Sequence, residues 1–296
     1  MGTVPINSGE RSTMKLSLFD DYRLGVWGLD DTIVDVTSAL DGSVRPMDRM
    51  NALIEDWEKL ESEVRDAATT AGVTRSGVVF RAPQPRPTKI VAAPVNHGPH
   101  RDEMIAAGAF TSGTAGTIET YVGFLKAPSS IVGPDGSIEH PAPGRRVDYE
   151  GELGVVMGRR ARRVSRSDAL AHVFGYVPLV DVTLRGQEDR PFRKSFDTFT
   201  PLGPAIVTVD EIPDPAKLEI ELSLNGKVRQ AGRVADLIYD VPRLIEVYSA
   251  AMTLEPGDII ASGTPDGVGP VTPGDELSLT VSHLPTLTIP VISAAG

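Results

Sequence analysis

The chain contains no cysteine. That excludes a disulfide framework, a thiolate metal site and a cysteine nucleophile, and leaves oxygen and imidazole as the only strong metal donors. A thiol-free chain also fits a reducing cytoplasm. No run of roughly eighteen apolar residues occurs, so no membrane-spanning helix is expected. Positive charge is in deficit: 29 Lys and Arg face 40 Asp and Glu, a net charge of -11. Such a surface favours solubility and argues against non-specific nucleic-acid binding. An anionic substrate stays possible, because a local site can be positive on an acidic protein. The opening stretch, Met1 to Ser12, is polar and lacks the apolar core of a secretory signal. Residues 1–13 are read as a disordered extension.

Against these absences stand 296 residues, of which 41% are hydrophobic, enough for a large core with a small appendage. The 29 glycines and 24 prolines punctuate short apolar runs. That pattern predicts a mixed α/β but predominantly β fold, with many short strands joined by tight turns. Three short strands are expected over residues 14–38. From Met47 to Ala71, Met50, Leu53, Ile54, Trp57, Leu60, Val64 and Ala67 recur at threes and fours, an amphipathic helix. Pro83, Pro85 and Pro87 then rule out helix interior and central strand. The small N-terminal domain is therefore drawn as residues 14–85 and the larger one as 86–296. In the larger part, Ile90–Ala93, Glu152–Met157, Tyr176–Val182 and Ile259–Ala261 read as buried strands. Ser165–Asp168 resembles a capping box opening a short helix through Val173. Asn225-Gly226 between Leu218–Leu224 and Lys227–Gln230 signals a hairpin. Val241–Met252 reads as a helix, and Glu276–Val291 as two final strands.

The chemistry-bearing pattern begins at Asp148-Tyr149-Glu150-Gly151-Glu152. Residues i and i+2 of a strand share a face, so Glu150 and Glu152 stand side by side with a glycine between them. On spacing alone this is equally a solvated polar strand face. The run that follows looks buried, however, and carboxylates entering a core need a proton or a cation between them. Asp181 ends the apolar run Tyr176–Val180 and is a third candidate. Three oxygen ligands without a thiol suit a hard ion, Mg²⁺ or Mn²⁺. In Asn96–Met104, a helix starting near His100 would place Glu103 at i+3, where it can accept the imidazole N–H and make His100 a better base. Zinc held by His97 and His100 is a weaker alternative, since no second histidine pair follows. Gly98-Pro99 before His100, with Gly108 and Gly113 after it, gives the segment breakers on both sides, as a closing lid would have. Arg185, Gln187, Arg193 and Lys194 follow Asp181 in a polar stretch, and a lysine near a metal can stabilise an enolate or carboxylate. The glycine-rich Ser262–Gly269 follows a strand and can offer N–H groups and the Thr264 hydroxyl to an anion. It is no nucleotide motif.

Taken in order, these segments resemble the fumarylacetoacetate hydrolase superfamily. The matching stretches are NxxxHxxEM at Asn96–Met104, FLKAPSS at Phe124–Ser130, DYEGELGVVMG at Asp148–Gly158, the Asp181 strand, KSFDTFTPLGP at Lys194–Pro204 and MTLEPGDIIASGTPDGVG at Met252–Gly269. The N-terminal part, with Arg23–Val26 and Val34–Val36, is similar to the α+β appendage that many members carry. The resemblance implies a β-sandwich roll around a metal, with Glu150, Glu152 and Asp181 as ligands, Lys194 as the site lysine and His100 with Glu103 as a lid dyad. It also implies Arg185, Gln187 and Thr264 as substrate contacts, and a homodimer. Two departures touch substrate contacts: His97 stands where tyrosine is common, and the Asp181–Lys194 segment is short.

The reaction the resemblance implies is metal-dependent hydrolysis of a C–C bond in a diketo acid. His100 would take a proton from water, and the cation with Lys194 would stabilise the enolate leaving group. The same enolate logic serves an oxo-acid decarboxylase, and an isomerase or dehydratase is a third option. The rival outside catalysis is an inactive metal- or ligand-binding protein, for which an oriented base has no purpose.

Overall fold

The computed structural model describes residues 14–28, 31–106, 118–141 and 144–294. The expected N-terminal extension, and Gly108 and Gly113 of the lid segment, lie outside them. Strands predominate, gathered into a large sheet of eleven strands and a second sheet of five, with two small sheets beside them. The large sheet runs in the order Val73–Thr74, Thr32–Asp35, Arg23–Trp27, Lys15–Phe19, Ile206–Thr208, Val173–Val180, Gly151–Met157, Ile259–Ala261, Ile90–Ala92, Phe124–Lys126. Phe80–Arg81 adds to Lys15–Phe19 off this path. The N-terminal strands thus join the catalytic part in one sheet, through the pairs Lys15 with Val207 and Leu16 with Ile206.

Strand alternation sorts the core into two layers. Leu153, Val155 and Met157 face Leu222, Leu279 and Ile289 of the five-stranded sheet. Val156, Phe174, Val177 and Leu179 turn to the opposite face, where Met50, Leu53 and Ile54 cover them. Trp57 meets Phe174 edge-on at 5.2 Å. The periodic stretch that covers this face is two helices, Arg49–Glu55 and Trp57–Ala67, where one was expected. Asp56 leaves helical geometry at ψ 14° yet bonds Ala52 O behind and receives Lys59 N and Leu60 N ahead. It ends one helix and opens the next, as a short polar side chain that disfavours helix interiors can.

The expected hairpin is present as Glu219–Leu224 and Lys227–Arg233, with φ positive at both Asn225 and Gly226. The expected helix at 241 runs Val241–Ala251, capped by Asp240, whose Oδ1 accepts from Arg243 N at 2.9 Å. Two final strands form as expected. The stretch after Ser165 is not an α-helix but a single 3-10 turn, Ala169–His172. The His172 carbonyl accepts from Gly158 N and Arg159 N, which draws the chain into the strand Val173–Val180 before a second turn can form.

One buried carboxylate closes the frame. Asp258, fully buried, accepts from Thr88 Oγ1 at 2.6 Å, Lys89 N at 2.9 Å and Glu255 N at 2.8 Å, and pairs with the Lys89 ammonium. It ties the end of the proline-rich segment to the turn before Ile259–Ala261, so the two parallel strands Ile90–Ala92 and Ile259–Ala261 start in register. Removing it strands several donors at once. Asp258→Ala should lower stability by about 2–4 kcal/mol, read from urea unfolding; a change under about 0.5 kcal/mol would contradict this role.

Candidate active site

Gly151 pairs with Val180 across the central strands Gly151–Met157 and Val173–Val180, and Asp181 N bonds Glu150 O at 2.8 Å. Glu150 therefore lies opposite Asp181, and Glu152 follows two residues along on the same face. The outcome is one cluster: a carboxylate oxygen from each of Glu150, Glu152 and Asp181 lies within 4.8 Å of the other two, and all three side chains are buried. The glycine between the glutamates serves the other side of the sheet. A Cβ on Gly151 would stand 2.9 Å from Leu222 Cδ1 and 3.0 Å from Leu279 Cδ1, so a side chain there would wedge the two sheets apart.

The cluster is unevenly compensated. Lys194 Nζ bonds Glu150 Oε2 at 2.8 Å and Asp181 Oδ2 at 2.6 Å. Arg185 Nη2 and Thr183 Oγ1 each reach Glu150 Oε1 at 3.1 Å. Lys126, fully buried, pairs with Asp181 Oδ1 and donates to Phe199 O at 2.8 Å. Among the described residues, Glu152 receives only the backbone N–H of Gly263, at 2.8 Å. Burial would raise the Glu150 pKa, but Lys194, Arg185 and the His100 charge outweigh it and hold it well below the usual range. Burial and the charges of Asp181 and Glu150 push Glu152 well above that range. Burial likewise lowers the Lys126 ammonium, against the pull of Asp181. Two carboxylates are thus supplied with cations and the third is not, which is the electrostatic deficit that a hard divalent ion relieves.

His100 sits on the helix Gly98–Ala106, almost fully buried, with Nδ1 3.1 Å from Glu103 Oε2. Its Nε2 is left for other work. Asn96 anchors the start of this segment: its Nδ2 donates to Tyr239 O at 2.9 Å and Ser262 O at 2.7 Å, and its Oδ1 accepts from Tyr239 N at 2.7 Å. His97 faces elsewhere. Its Nε2 lies 3.2 Å from Arg233 O, burial lowers its pKa, and a Cβ on Gly232 would stand 3.1 Å from its ring. Its ring packs against Gly232. Among the described residues the one cluster with ligand spacing is the carboxylate trio, so the zinc alternative with His97 and His100 finds no support.

Of the expected substrate contacts, Arg185 donates from Nε to Asp148 Oδ2 at 2.7 Å as well as to Glu150. The Thr264 hydroxyl donates to Gly151 O at 2.9 Å and accepts from Gln230 Nε2 at 2.7 Å. Gln187 is exposed on the loop, with no hydrogen bond to the cluster among the described residues. Gln230 and Lys126 were not singled out from the sequence. Gln230 accepts from Gly151 N at 2.9 Å and donates to Thr264 and to Pro265 O, so it clamps the Ser262–Gly269 loop to the glutamate strand. Lys126 lay in view within FLKAPSS, where alternation puts it on the same buried face as Phe124.

A chain with this sheet pairing and this carboxylate cluster belongs to the fumarylacetoacetate hydrolase family, whose C-terminal domain matches residues 89–292. Among its relatives, a maleylpyruvate hydrolase of Aquipseudomonas alcaligenes is 40% identical over 290 residues, 95% of this chain and 100% of that protein. An oxaloacetate tautomerase of Bacillus subtilis is 39% identical over 225 residues, 72% of each. Among solved structures, the maleylpyruvate hydrolase of Sphingobium sp. SYK-6 in complex with manganese(II) and pyruvate superposes with a TM-score of 0.83 at 38% identity. The match covers 95% of this chain and 100% of that one.

The uneven compensation has a measurable effect. Glu152→Gln keeps an acceptor for Gly263 N–H and removes the charge that Glu150 and Asp181 repel. In excess chelator this variant should melt a few degrees above the parent, on the scale of about 1–2 kcal/mol for relief of one buried like-charge contact. A lower midpoint than the parent under the same conditions would mean that Glu152 is not the strained member.

Proposed function

We propose that this protein is a divalent-metal-dependent hydrolase that cleaves the C–C bond of an acylpyruvate, a 2,4-diketo acid of the maleylpyruvate type. The observation that carries the reading is the buried carboxylate cluster whose third member lacks a cation. The match along the whole length of a maleylpyruvate hydrolase supports it. Glu150, Glu152 and Asp181 would hold one Mg²⁺ or Mn²⁺. Three hard oxygen donors in a chain without thiols fit either ion. When bound, such an ion supplies Lewis-acid polarisation of the 2-oxo acid end of the substrate.

The protein's own groups supply the rest. With Nδ1 engaged by Glu103, His100 presents Nε2 to take a proton from water. The water oxygen bonds the C4 carbonyl carbon. The C3–C4 bond then breaks, its electron pair stays on C3 as the pyruvate enolate, and a proton returns to C3. One water is consumed, and a carboxylic acid and pyruvate leave. The Lys194 ammonium, between Glu150 and Asp181, offsets negative charge as it develops. The Gly98–Ala106 helix carries His100, and Gly267 N reaches Glu103 Oε1 at 3.4 Å, a contact that can order the helix over the Ser262–Gly269 loop. The oxaloacetate tautomerase among the relatives marks the alternative, proton transfer without an attacking water. The reading includes a homodimer in a reducing cytoplasm; among the described residues no helix is long and apolar enough to cross a membrane.

Excess chelator should abolish maleylpyruvate hydrolysis, and Mg²⁺ or Mn²⁺ should restore it. Ala at Glu150, Glu152 or Asp181 should remove most metal binding measured by calorimetry. Full activity in chelator would sink the metal assignment. His100→Ala should reduce turnover roughly 10²–10⁴-fold with metal affinity nearly unchanged. Wild-type hydrolysis by that variant would discard the base. Light scattering should give a mass near twice 31.6 kDa, and a monomer over a wide concentration range would contradict the dimer.

A further inference from the structure

Most cations around the carboxylate cluster are already engaged. Lys194 and Lys126 serve Glu150 and Asp181, Arg185 and Arg146 serve Asp148, and Arg145 holds Glu188. Arg190 and Arg193 differ. They bracket the four-residue helix Arg190–Arg193, just before Lys194. Arg190 Nη1 and Arg193 Nε are buried and have no hydrogen-bond partner, and neither guanidinium has a carboxylate within ion-pair distance among the described residues. A buried N–H without an acceptor is costly, and it usually marks a place where an acceptor arrives from outside. Burial and a neighbouring cation disfavour both charges: Arg193 acts against Arg190, and Arg185 acts against Arg193.

The position of Arg190 relative to the cluster is bounded by one ring. The Arg190 guanidinium lies 4.6 Å from the Tyr121 ring centre and 5.6 Å from that of Phe124, and Lys194 Nζ lies 5.4 Å from the same Phe124 centre. Arg190 and Lys194 are therefore at most about 11 Å apart. Both arginines feel the charges of Glu150 and Asp181, so they border the same space. A seven-carbon diketo acid with bonds of about 1.5 Å spans roughly 8 Å between its terminal carbons, within that reach.

We propose that Arg190 and Arg193 bind the distal carboxylate of the substrate, and that the enzyme therefore selects diketo acids carrying a carboxylate at both ends. The inference rests on the reading of this site as an acylpyruvate hydrolase and adds the residues that recognise the second carboxylate of such a substrate. The 2-oxo acid end lies at the carboxylate cluster beside Lys194, and the far carboxylate accepts N–H bonds from the two guanidinium forks. Such charge-assisted pairing is worth more than a neutral hydrogen bond, and it is the geometry for which arginine is suited. Stacking of Arg190 on Tyr121 holds its fork in place before the substrate arrives.

Two length-matched probes without a 4-oxo group test the pocket separately from hydrolysis: 2-oxoheptanedioate, with two carboxylates, and 2-oxoheptanoate, with one. By calorimetry in saturating Mn²⁺, the parent should bind the dioate at least tenfold more tightly than the monoacid. In the Arg190→Met, Arg193→Met double variant that preference should shrink to about threefold or less, and Arg190→Lys should restore part of it. In turnover, the ratio of kcat/KM for maleylpyruvate over 2,4-dioxopentanoate should fall about ten- to hundredfold in the double variant. Circular dichroism of each variant checks the fold, and if the double variant fails to fold, the single variants and the parent's own preference decide. Equal binding of the two probes by the parent, or an unchanged preference in the folded variants, overturns the proposal. Discrimination between the probes by a parent that hydrolyses no diketo acid would instead overturn the proposed reaction and leave the dicarboxylate pocket standing.

Discussion

Three carboxylates share one buried face of two antiparallel strands, and the surrounding structure is organised around keeping them there. Isolated burial of one such charge is costly, and three within 4.8 Å of one another repel. The protein meets this with two ammonium groups from different parts of the chain, Lys126 from the sheet edge and Lys194 from the loop after the short helix. Neither lysine would tolerate such burial alone. Each is held because the other side of its ion pair cannot leave. The cluster is therefore a tertiary interaction in the full sense: it exists only when residues 126, 150, 152, 181 and 194 are brought together, and it ties the edge of the large sheet to its centre.

Backbone geometry carries a second part of the work. Glu152 receives Gly263 N–H, Gly263 adopts φ +103°, and a Cβ there would stand 2.8 Å from Asn96 Cβ. The same loop is held by Asn96 through Ser262 O and by Gln230 through Thr264 and Pro265. Gln230 belongs to the hairpin of the second sheet, and Asn96 to the segment that carries His100. The loop is thus the point where the glutamate strand, the second sheet and the His100 helix are fixed relative to one another. Activity in such a site depends on tolerances well under an ångström, which explains why fully buried amides occupy positions that touch no reacting atom.

The sequence made the carboxylates legible because strand periodicity is a local property: an ExE pair followed by an unbroken apolar run, and an acid ending another such run, need no knowledge of the fold. The His100 and Glu103 pair was legible for the same reason, through helical spacing. What alternation could not reveal was the side on which polar groups are spent. Thr264 looked free to meet a ligand, yet its hydroxyl is used between Gly151 and Gln230, partners 113 and 34 residues away. The glycine at 151 stands between two carboxylates, but the clearance it gives is for Leu222 and Leu279 on the other face. Lys126 and Gln230 sit in strands whose local pattern is ordinary, and their importance arises only from pairing across the sheets. The helix break at Asp56 and the short turn at Ala169–His172 show the complementary limit, since apolar periodicity persists through an interruption that a single backbone rotation creates.

The short segment between Asp181 and Lys194 links these observations. Both of its ends are fixed by the same interaction, because Asp181 and Lys194 bond each other at 2.6 Å. The residues between form a loop closed by that bond, from which Thr183 and Arg185 reach Glu150 while Gln187 and Phe192 are exposed. Shortening such a loop leaves less chain to fold back on itself and satisfy its own polar groups. Arg185, next to the anchored end, finds Asp148 and Glu150. At the far side, Arg190 finds the rings of Tyr121 and Phe124 and the charge of Arg193, and Arg193 meets the charge of Arg185. The fold thus fixes the ends of the loop through the carboxylates, while most of its side chains take no part in that bond. The frame is constrained from every side, whereas the loop is held at its two ends and by Arg145, which bonds Glu188 and the Arg185 carbonyl; a loop fastened at so few points can change its side chains without moving the carboxylates.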